Sequence, residues 1–470
     1  MTAPHQPLRV HNTLSRSLEP FTPLEEGRVR LYTCGPTVYN FAHIGNFRAY
    51  VFEDLLRRWL TFKGFQVTQV MNLTDVDDKT IRGSQEAGKS LEAFTADYKR
   101  AFFDDIRTLN IEPAEFYPAA TDHIPEMIQL ISRLMEKGYA YSAADASVYF
   151  SIDKWPSYGK LAHLDRDGMR SGVRICADEY DKENAADFAL WKAWDEKDGA
   201  VAWDSPWGRG RPGWHIECSA MSMKYLGPSF DIHTGGVDNI FPHHEDEIAQ
   251  SEAANGKPFA AYWLHCAHLM VDGQKMAKSK GNFYTLRDIL ARGYTGREVR
   301  YELLGAHYRA PLNFTFSSLD AARTALHRMD EFMMRLAEAA GSVAPAHLPD
   351  WANACAGRFE AAMDDDLNIS AALAALFDAI REGNAALDAG TLEAAGSAAV
   401  RELFLRWDAV LGVIEKPDEA IPPDVRELLD LRRSARAEKN WALSDSLRHE
   451  IAALGWMVKD TPKGQTLIKA

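Results

Sequence analysis

Two cysteines, a histidine and a glutamate carry the most specific chemistry in this sequence. In the run FPHHEDEIAQ, His243 and Glu247 stand four apart, so on a helix they project from one face, and Pro242 suits the first helical turn. His244 has Ile248 as its own fourth neighbour and is the poorer candidate ligand. Cys34 closes the segment RVRLYTC and Cys218 lies in GWHIECSAM. Together the four offer two thiolates, one imidazole and one carboxylate, a donor set that suits zinc. Taken singly, each has a plainer reading: small buried hydrophobes for the cysteines, an ordinary surface pair for His243 and Glu247. The H-E-x-x-H pattern of zinc hydrolases is absent, because Ile248 follows His244-Glu245 where the second histidine belongs.

Three stretches invite a phosphate. The first, Gly83 to Ser90 (GSQEAGKS), satisfies G-x-x-x-x-G-K-[ST] letter for letter. A working phosphate loop joins the end of a buried strand directly to a helix. Here the preceding residues, TDVDDKTIR, are polar, so the stretch is expected to be a turn whose Ser90 caps the helix LEAFTADYKRAFFDDI. The second stretch, CGPTVYNFAHIGNFR, places His43, Gly45 and Asn46 at a helix start, where backbone N–H groups and the helix dipole favour an anion. The third, GQKMAKSKGN, crowds Lys275, Lys278 and Lys280 into six positions beside small residues. Such a loop suits a cationic clamp on a departing polyphosphate, although a charge run is more often a solvated face.

The elements that must position these groups follow from the pattern. Arg28 to Cys34 alternates like a strand, and Asn46 can cap a helix carrying Phe47, Tyr50, Val51, Leu55, Trp59 and Phe62 at helical spacing, stopped at Lys63-Gly64. A second strand, Phe65 to Leu73, follows at once, which implies a parallel sheet with a right-handed crossover and ligands at the carboxyl ends of its strands. Between Glu112 and Trp203 the pattern changes to an amphipathic helix near His123 to Lys137 and a hairpin, YAYSAADASVYFSI, which reads as an insertion. Sheet-like segments resume at Phe230 to His233 and His265 to Val271, and after Ser317 long Ala/Leu-rich helices run to about Leu411.

Composition bounds the rest. The chain has 470 residues, 46% of them hydrophobic, which at roughly 150 residues per domain gives about three domains. A formal charge of -14 argues against a general nucleic-acid coat protein and leaves room for a local basic site. Five scattered cysteines, an odd number, read as a reduced intracellular chain. The stretch MTAPHQPLRVHNTLSRS has no apolar h-region and no window approaches about 20 apolar residues, so the expected location is the cytoplasm.

A His-x-Gly-x signature after the first strand and a K-M-x-K-S loop after the last strand of a split nucleotide fold resemble the class I aminoacyl-tRNA synthetases. Their usual forms are HIGH and KMSKS; here they stand as His43-Ile44-Gly45-Asn46 and Lys275-Met276-Ala277-Lys278-Ser279. Asn46 still donates a hydrogen bond, and Ala277 loses only a hydroxyl. With TDVDDK, WGRGRPGWHIECSAM, GGVDNIFPHHEDEIAQSE and the ending ALSDSLRHEIAALGWMVKDTPKG, the chain resembles the cysteinyl-tRNA synthetases over essentially its whole length.

That resemblance implies a monomeric ligase that activates L-cysteine with ATP and Mg2+ and hands it to tRNA(Cys). It implies one Zn2+ on Cys34, Cys218, His243 and Glu247, with the substrate's sulfur joining the metal. His43, Gly45, Asn46 and Lys278 would meet ATP, Lys275 and Lys278 the developing charge, and Asp238 the ribose. Gly35, Thr74, Trp214 and His233 would line the cysteine pocket. The nearest rival is a cysteine ligase of the same fold that uses an amino-sugar acceptor, for which the last 130 or so residues would be superfluous. A P-loop ATPase and a zinc hydrolase are rivals from other classes.

The expected fold is α/β: a class I Rossmann-type parallel-sheet catalytic domain split by an insertion, then a helical domain and a small anticodon-binding domain. The expected boundaries are 1–112 and 204–270 for the catalytic halves, 113–203 for the insertion and 271–316 for the KMSKS loop and stem-contact region. Residues 317–411 form the helical tRNA-binding part and 421–470 the anticodon piece. Charge marks the last of these: 341–420 has 5 Lys/Arg against 14 Asp/Glu, whereas 421–470 has 9 against 7. Arg432, Arg433, Arg436 and Lys439 lie near Trp441, which suits stacking of a splayed base. A charged solvated helix with Trp441 packed beneath it fits the same residues equally well.

Overall fold

The computed structural model describes residues 7–164, 187–277, 280–414, 422–461 and 464–469. The chain divides into two compact units, Met1–Ile414 and Glu415–Ala470.

In the first unit the strand Arg28–Thr33 feeds the helix Ile44–Phe62, which returns the chain to the strand Gln66–Met71. The strands pair in parallel, Arg28 against Gln66 through Thr33 against Met71. On the other edge of Arg28–Thr33 lies Phe230–Gly236, and beyond it Ala260–Cys266, also parallel. The first strand therefore has its crossover partners on opposite sides. This is the switch point at which open α/β sheets leave a crevice beyond their carboxyl ends. The helix buries Phe47, Val51, Leu55 and Trp59, the apolar positions read from the sequence, and stops at Lys63 with Gly64 at φ +91°.

The helix start differs from expectation by three residues. His43 is the N-cap, and Asn46 occupies the third helical position. The two close a reciprocal pair: His43 Nδ1 accepts from the Asn46 backbone N–H at 3.2 Å, and Asn46 Oδ1 accepts from the His43 N–H at 3.1 Å. A ring nitrogen can replace the usual hydroxyl or carboxylate in a capping box, and this exchange lets the helix begin at Ile44.

Gly83 to Ser90 spans the end of the helix Asp78–Glu86, a turn through Gly88, and the cap of the helix Leu91–Thr108, where Ser90 Oγ accepts from the Ala93 N–H. No strand leads into it. A Cβ at Gly83 would lie 2.6 Å from the Phe94 ring, and Lys89 Nζ is 2.8 Å from Asp97 on the surface. The stretch is helix packing and capping.

The hairpin Ala140–Ser142/Val148–Phe150 is extended antiparallel by Phe188–Ala193 and Gly210–Pro212. That last strand delivers the chain through Gly213, where a Cβ would meet the Ala189 carbonyl at 2.0 Å, into the helix Trp214–Leu226. The close approach leaves room only for glycine, and it sets where Trp214 and Cys218 point. After the sheet come Phe316–Ala340, Asp350–Asp364, Ile369–Asp388 and Ala394–Leu411, a helical region built on Leu326, Phe332, Phe359, Leu376, Phe404 and Trp407. The second unit pairs the helices Pro423–Ala437 and Trp441–Ala453 with the hairpin Trp456–Thr461/Gly464–Lys469 over a small core of Val425, Leu429, Ile451 and Val458. Among the described residues no helix is long and apolar enough to cross a membrane.

Candidate active site

The four predicted donors arrive from three elements. Cys34 follows the strand Arg28–Thr33, Cys218 faces inward from the second turn of Trp214–Leu226, and His243 and Glu247 flank the start of the helix Glu245–Asn255. Their ligand atoms all lie within 4.8 Å of one another. Cys218, His243 and Glu247 are buried and Cys34 is half-buried. Glu247 has no exposure, and its Oε1, 3.1 Å from His243 Nε2, lacks a hydrogen bond of good geometry. Its other oxygen is 2.9 Å from His233 Nε2. A fully buried carboxylate with one bare oxygen beside two thiols is costly without a cation. The arrangement fits a metal ion.

Electrostatics describe the same demand. Burial drives the Cys34 thiol well above its ordinary range, and Cys218 beside it adds to the rise. Burial acts alike on Cys218, but the Cys34 hydrogen bond and the His243 ring outweigh it and hold this thiol well below. Burial and Cys218 push Glu247 up, against His243. Without a cation the cluster favours negative charge on Cys218 and disfavours it on Cys34 and Glu247.

A second donor set overlaps the first: Cys34, His233, His244 and Glu247. His244, set aside by spacing, brings Nε2 to 3.2 Å from Cys34 Sγ and turns Nδ1 to His265 Nε2 at 2.8 Å. His265 in turn meets Thr13 Oγ1 at 2.7 Å. The fourth-neighbour argument did not weigh the i,i+3 spacing that brings His244 Nε2 to 3.9 Å from Glu247 Oε1, nor a contact with a residue as distant in sequence as Cys34.

Other expected pocket residues crowd the same place. The Gly35 N–H donates to Asn72 Oδ1 at 2.8 Å, and a Cβ on Gly35 would overlap the Asn72 carbonyl at 1.8 Å. Thr74 is buried and donates to Glu217 Oε2 at 2.8 Å. The Trp214 ring stacks on His243 at 4.3 Å and stays 42% exposed, so one indole face covers a candidate donor while part of the ring remains open. His233 stacks on Trp263 at 4.6 Å. Asp238 is exposed in the turn Val237–Asn239, just beyond Phe230–Gly236.

The two phosphate signatures meet. The Ile44 N–H donates to the Tyr284 carbonyl at 3.0 Å, His43 bridges Thr285, and the His43 ring packs edge-on to Phe283 at 5.1 Å. A Cβ on Gly45 would lie 3.1 Å from Met276 Cε. Lys275 sits exposed on the short strand Gln274–Lys275, and Asn282 ties the loop by accepting from the Ala277 N–H. Lys278 and Ser279 lie outside the described residues.

Comparison with known proteins agrees with this geometry. Residues 20–324 match the family described as tRNA synthetases class I (C), catalytic domain; 358–415 match the DALR domain and 418–467 the cysteinyl-tRNA ligase anticodon binding domain. The chain is 51% identical to cysteine–tRNA ligase of Protochlamydia amoebophila over 98% of both chains, and 53% identical to that of Chlamydia pneumoniae over 97% of both. It belongs to the cysteine–tRNA ligase family. Methionyl-tRNA synthetase of Mycobacterium tuberculosis, solved with methionyl-adenylate, shares the fold at a TM-score of 0.60 and 16% identity, over 82% of this chain and 89% of the other.

In this member of the family the second unit separates its basic residues by role. Arg432 is buried and bonds Asp460 with both terminal nitrogens, at 2.9 and 3.0 Å, so it holds the hairpin to the helix. Arg436 reaches Asp460 at 3.2 Å and lies over the Trp441 ring at 5.6 Å. Trp441 is 57% exposed, which removes the reading that packs it beneath the helix. Arg433 pairs with Asp430 at the surface, and Lys439 is exposed at φ +58°.

Sequence reasoning missed the layer behind the donors. His215 Nδ1 lies 2.9 Å from His243 Nδ1, and Asp246 lies 3.3 Å from His215 Nε2. Glu217 is buried with one oxygen lacking a hydrogen bond, and burial together with Cys218 drives its carboxyl well above the usual range. The available signal was density: four of the chain's 15 histidines fall between 215 and 244 beside an HHEDE run.

Proposed function

We propose that this protein is an ATP-dependent cysteine–tRNA ligase. In the first step a carboxylate oxygen of L-cysteine attacks the α-phosphorus of ATP; the bond to the bridging oxygen breaks, giving cysteinyl-adenylate and pyrophosphate. In the second, the terminal ribose hydroxyl of tRNA(Cys) attacks the acyl carbon and AMP leaves. Neither step needs a covalent enzyme nucleophile. Both need positioning and charge stabilisation.

The observation that carries the reading is the donor set of Cys34, Cys218, His243 and Glu247 at the same sheet end as the HIGN helix. Of the two overlapping sets this one supplies two soft thiolates, which favours Zn2+. When bound, the ion would take the substrate's sulfur and so distinguish it from serine's hydroxyl, where an apolar pocket separates near-isosteres by only about 1–3 kcal/mol. Gly35, Thr74, Trp214 and His233 shape the amino-acid pocket around that position. His43, Gly45 and Asn46 offer helix-start donors to ATP phosphates, Asp238 offers a carboxylate to the ribose, and Lys275 with Lys278 neutralises charge on the departing pyrophosphate, aided by Mg2+. Arg433, Arg436, Lys439 and Trp441 form the surface for the anticodon. The matches over 358–415 and 418–467 favour RNA over an amino sugar as acceptor.

Pyrophosphate exchange measured with each amino acid in turn tests this. Exchange is expected with cysteine and no other amino acid. Exchange with serine but not cysteine would overturn the substrate assignment.

A further inference from the structure

The rim of the cleft carries rings and cations that adenylate formation does not use. In the loop between Cys34 and His43, Phe41 is 41% exposed, and the Arg287 guanidinium lies 4.9 Å from its centroid. Arg287 is exposed yet anchored, 3.1 Å from the buried carboxylate of Asp105 and 3.2 Å from the Ala101 carbonyl. A few residues on, the exposed Arg292 lies 5.0 Å from the Tyr284 ring and 4.3 Å from Phe316. Among the described residues no carboxylate stands within 4.0 Å of the Arg292 guanidinium. Tyr284 is the residue whose carbonyl receives the Ile44 N–H, so this cluster is continuous with the HIGN helix start.

The surrounding charge runs against the chain as a whole. Residues 275–335 hold 11 Lys/Arg and 6 Asp/Glu, a net of +5, in a protein of net -14. An exposed ring backed by a held guanidinium, next to a second guanidinium stacked on two rings with no carboxylate partner, has the chemistry that grips single-stranded nucleic acid. Bases stack on the ring and phosphates neutralise the cation. Arg297 nearby, by contrast, is paired with Asp330 at 2.5 Å.

We propose that Phe41 and Arg292 position the single-stranded 3′ end of the acceptor RNA at the cleft, Phe41 by stacking a base and Arg292 by contacting the backbone phosphates. This rests on the ligase reading for its substrate, and the test has an arm that does not. Binding is measured for an RNA hairpin with a four-nucleotide 3′ overhang and for the same hairpin blunt-ended. The unaltered protein prefers the overhang. Phe41→Ala loses that preference by about 5- to 100-fold, the worth of one base stack, and Phe41→Trp restores it. Arg292→Ala lowers the salt slope of binding by about one.

In tRNA charging both variants raise KM for tRNA while cysteine-dependent pyrophosphate exchange stays within twofold. Equal binding of the two hairpins by the unaltered protein overturns the proposal. A parallel fall in exchange and charging overturns it as well, since it marks local collapse of the loop. Absence of cysteine-dependent exchange in the unaltered protein overturns the ligase reading instead, and the hairpin comparison then decides the RNA surface by itself.

Discussion

The donor cluster and the phosphate rim share one sheet end and are built on opposite principles. Cys218, His243 and Glu247 are buried by three elements whose packing fixes them, down to the Gly35 and Gly213 positions that admit no Cβ. Lys275, on the two-residue strand Gln274–Lys275, and Asp238, in the turn Val237–Asn239, instead stand exposed, and Asn282 ties the loop after Lys275 by accepting from the Ala277 N–H and donating to the Lys275 carbonyl. Selecting between sulfur and oxygen needs donors fixed before the substrate arrives, because the difference lies in one bond. Gripping a polyphosphate that enters and leaves needs charge that can stay solvated between turnovers.

The comparison breaks most visibly at a thiol. Cys218→Ser leaves the fold with a hydroxyl where a soft donor stood, and the cluster loses affinity for zinc. Cysteine-dependent exchange is expected to fall by at least about a thousandfold, with loss of the bound metal seen by elemental analysis. Unchanged exchange with full metal content would show that the overlapping set, Cys34, His233, His244 and Glu247, holds the ion instead. On the rim, Lys275→Ala removes one exposed cation from the departing charge. The expectation is a fall of about a hundredfold in kcat for exchange, a small change in KM for cysteine and unchanged metal content. Lost metal in that variant would erase the distinction between the two regions.

How much of this could be read from the residues follows the same division. The strand–helix–strand opening, the insertion hairpin and the meeting of His243 with Glu247 all rest on local periodicity, and the structure has them. The cap at His43 was missed because an imidazole can accept a hydrogen bond, yet helix-start preferences rank Asn first. His244 was discounted because only its fourth neighbour was weighed, whereas it lies near Glu247 three residues on and meets Cys34 from 210 positions away, a contact with no local signal. The meeting of Gly45 with Met276, more than 200 positions apart, has no local signal at all. It depends on the crossover that returns the chain to the first strand's edge.

A smaller effect probes the floor of the cleft. Glu53, buried in the first helix, accepts from Thr234 Oγ1 at 3.0 Å and keeps its second oxygen without a partner. Burial raises its carboxyl to about 8, against the pull of the Thr234 hydroxyl. The folded state then holds a proton that the unfolded state releases near pH 4.5. This contribution is full below that point and is lost as pH rises toward 8. Glu53→Gln keeps a donor and an acceptor of the same shape without the titration. Its Tm is expected to match the unaltered protein at pH 5 and exceed it by a few degrees at pH 8.5. An equal offset at both pH values would show that Glu53 is already ionised in the fold.

The smallest effect belongs to the one phosphate pattern that matches letter for letter. Lys89 lies at the surface beside Asp97, its Gly83 partner is closed off by the Phe94 ring, and the stretch starts inside a helix with no strand feeding it. Exposed ion pairs of this kind contribute little, because water screens both charges. Lys89→Ala is therefore expected to leave KM for ATP within twofold and Tm within about two degrees, while His43→Ala raises the exchange barrier substantially. A loss of ATP binding in the Lys89 variant would move the nucleotide away from the sheet's switch point. It would set nucleotide binding on a helix end, a turn and a helix cap instead of on the strand ends that carry Cys34 and Gly236.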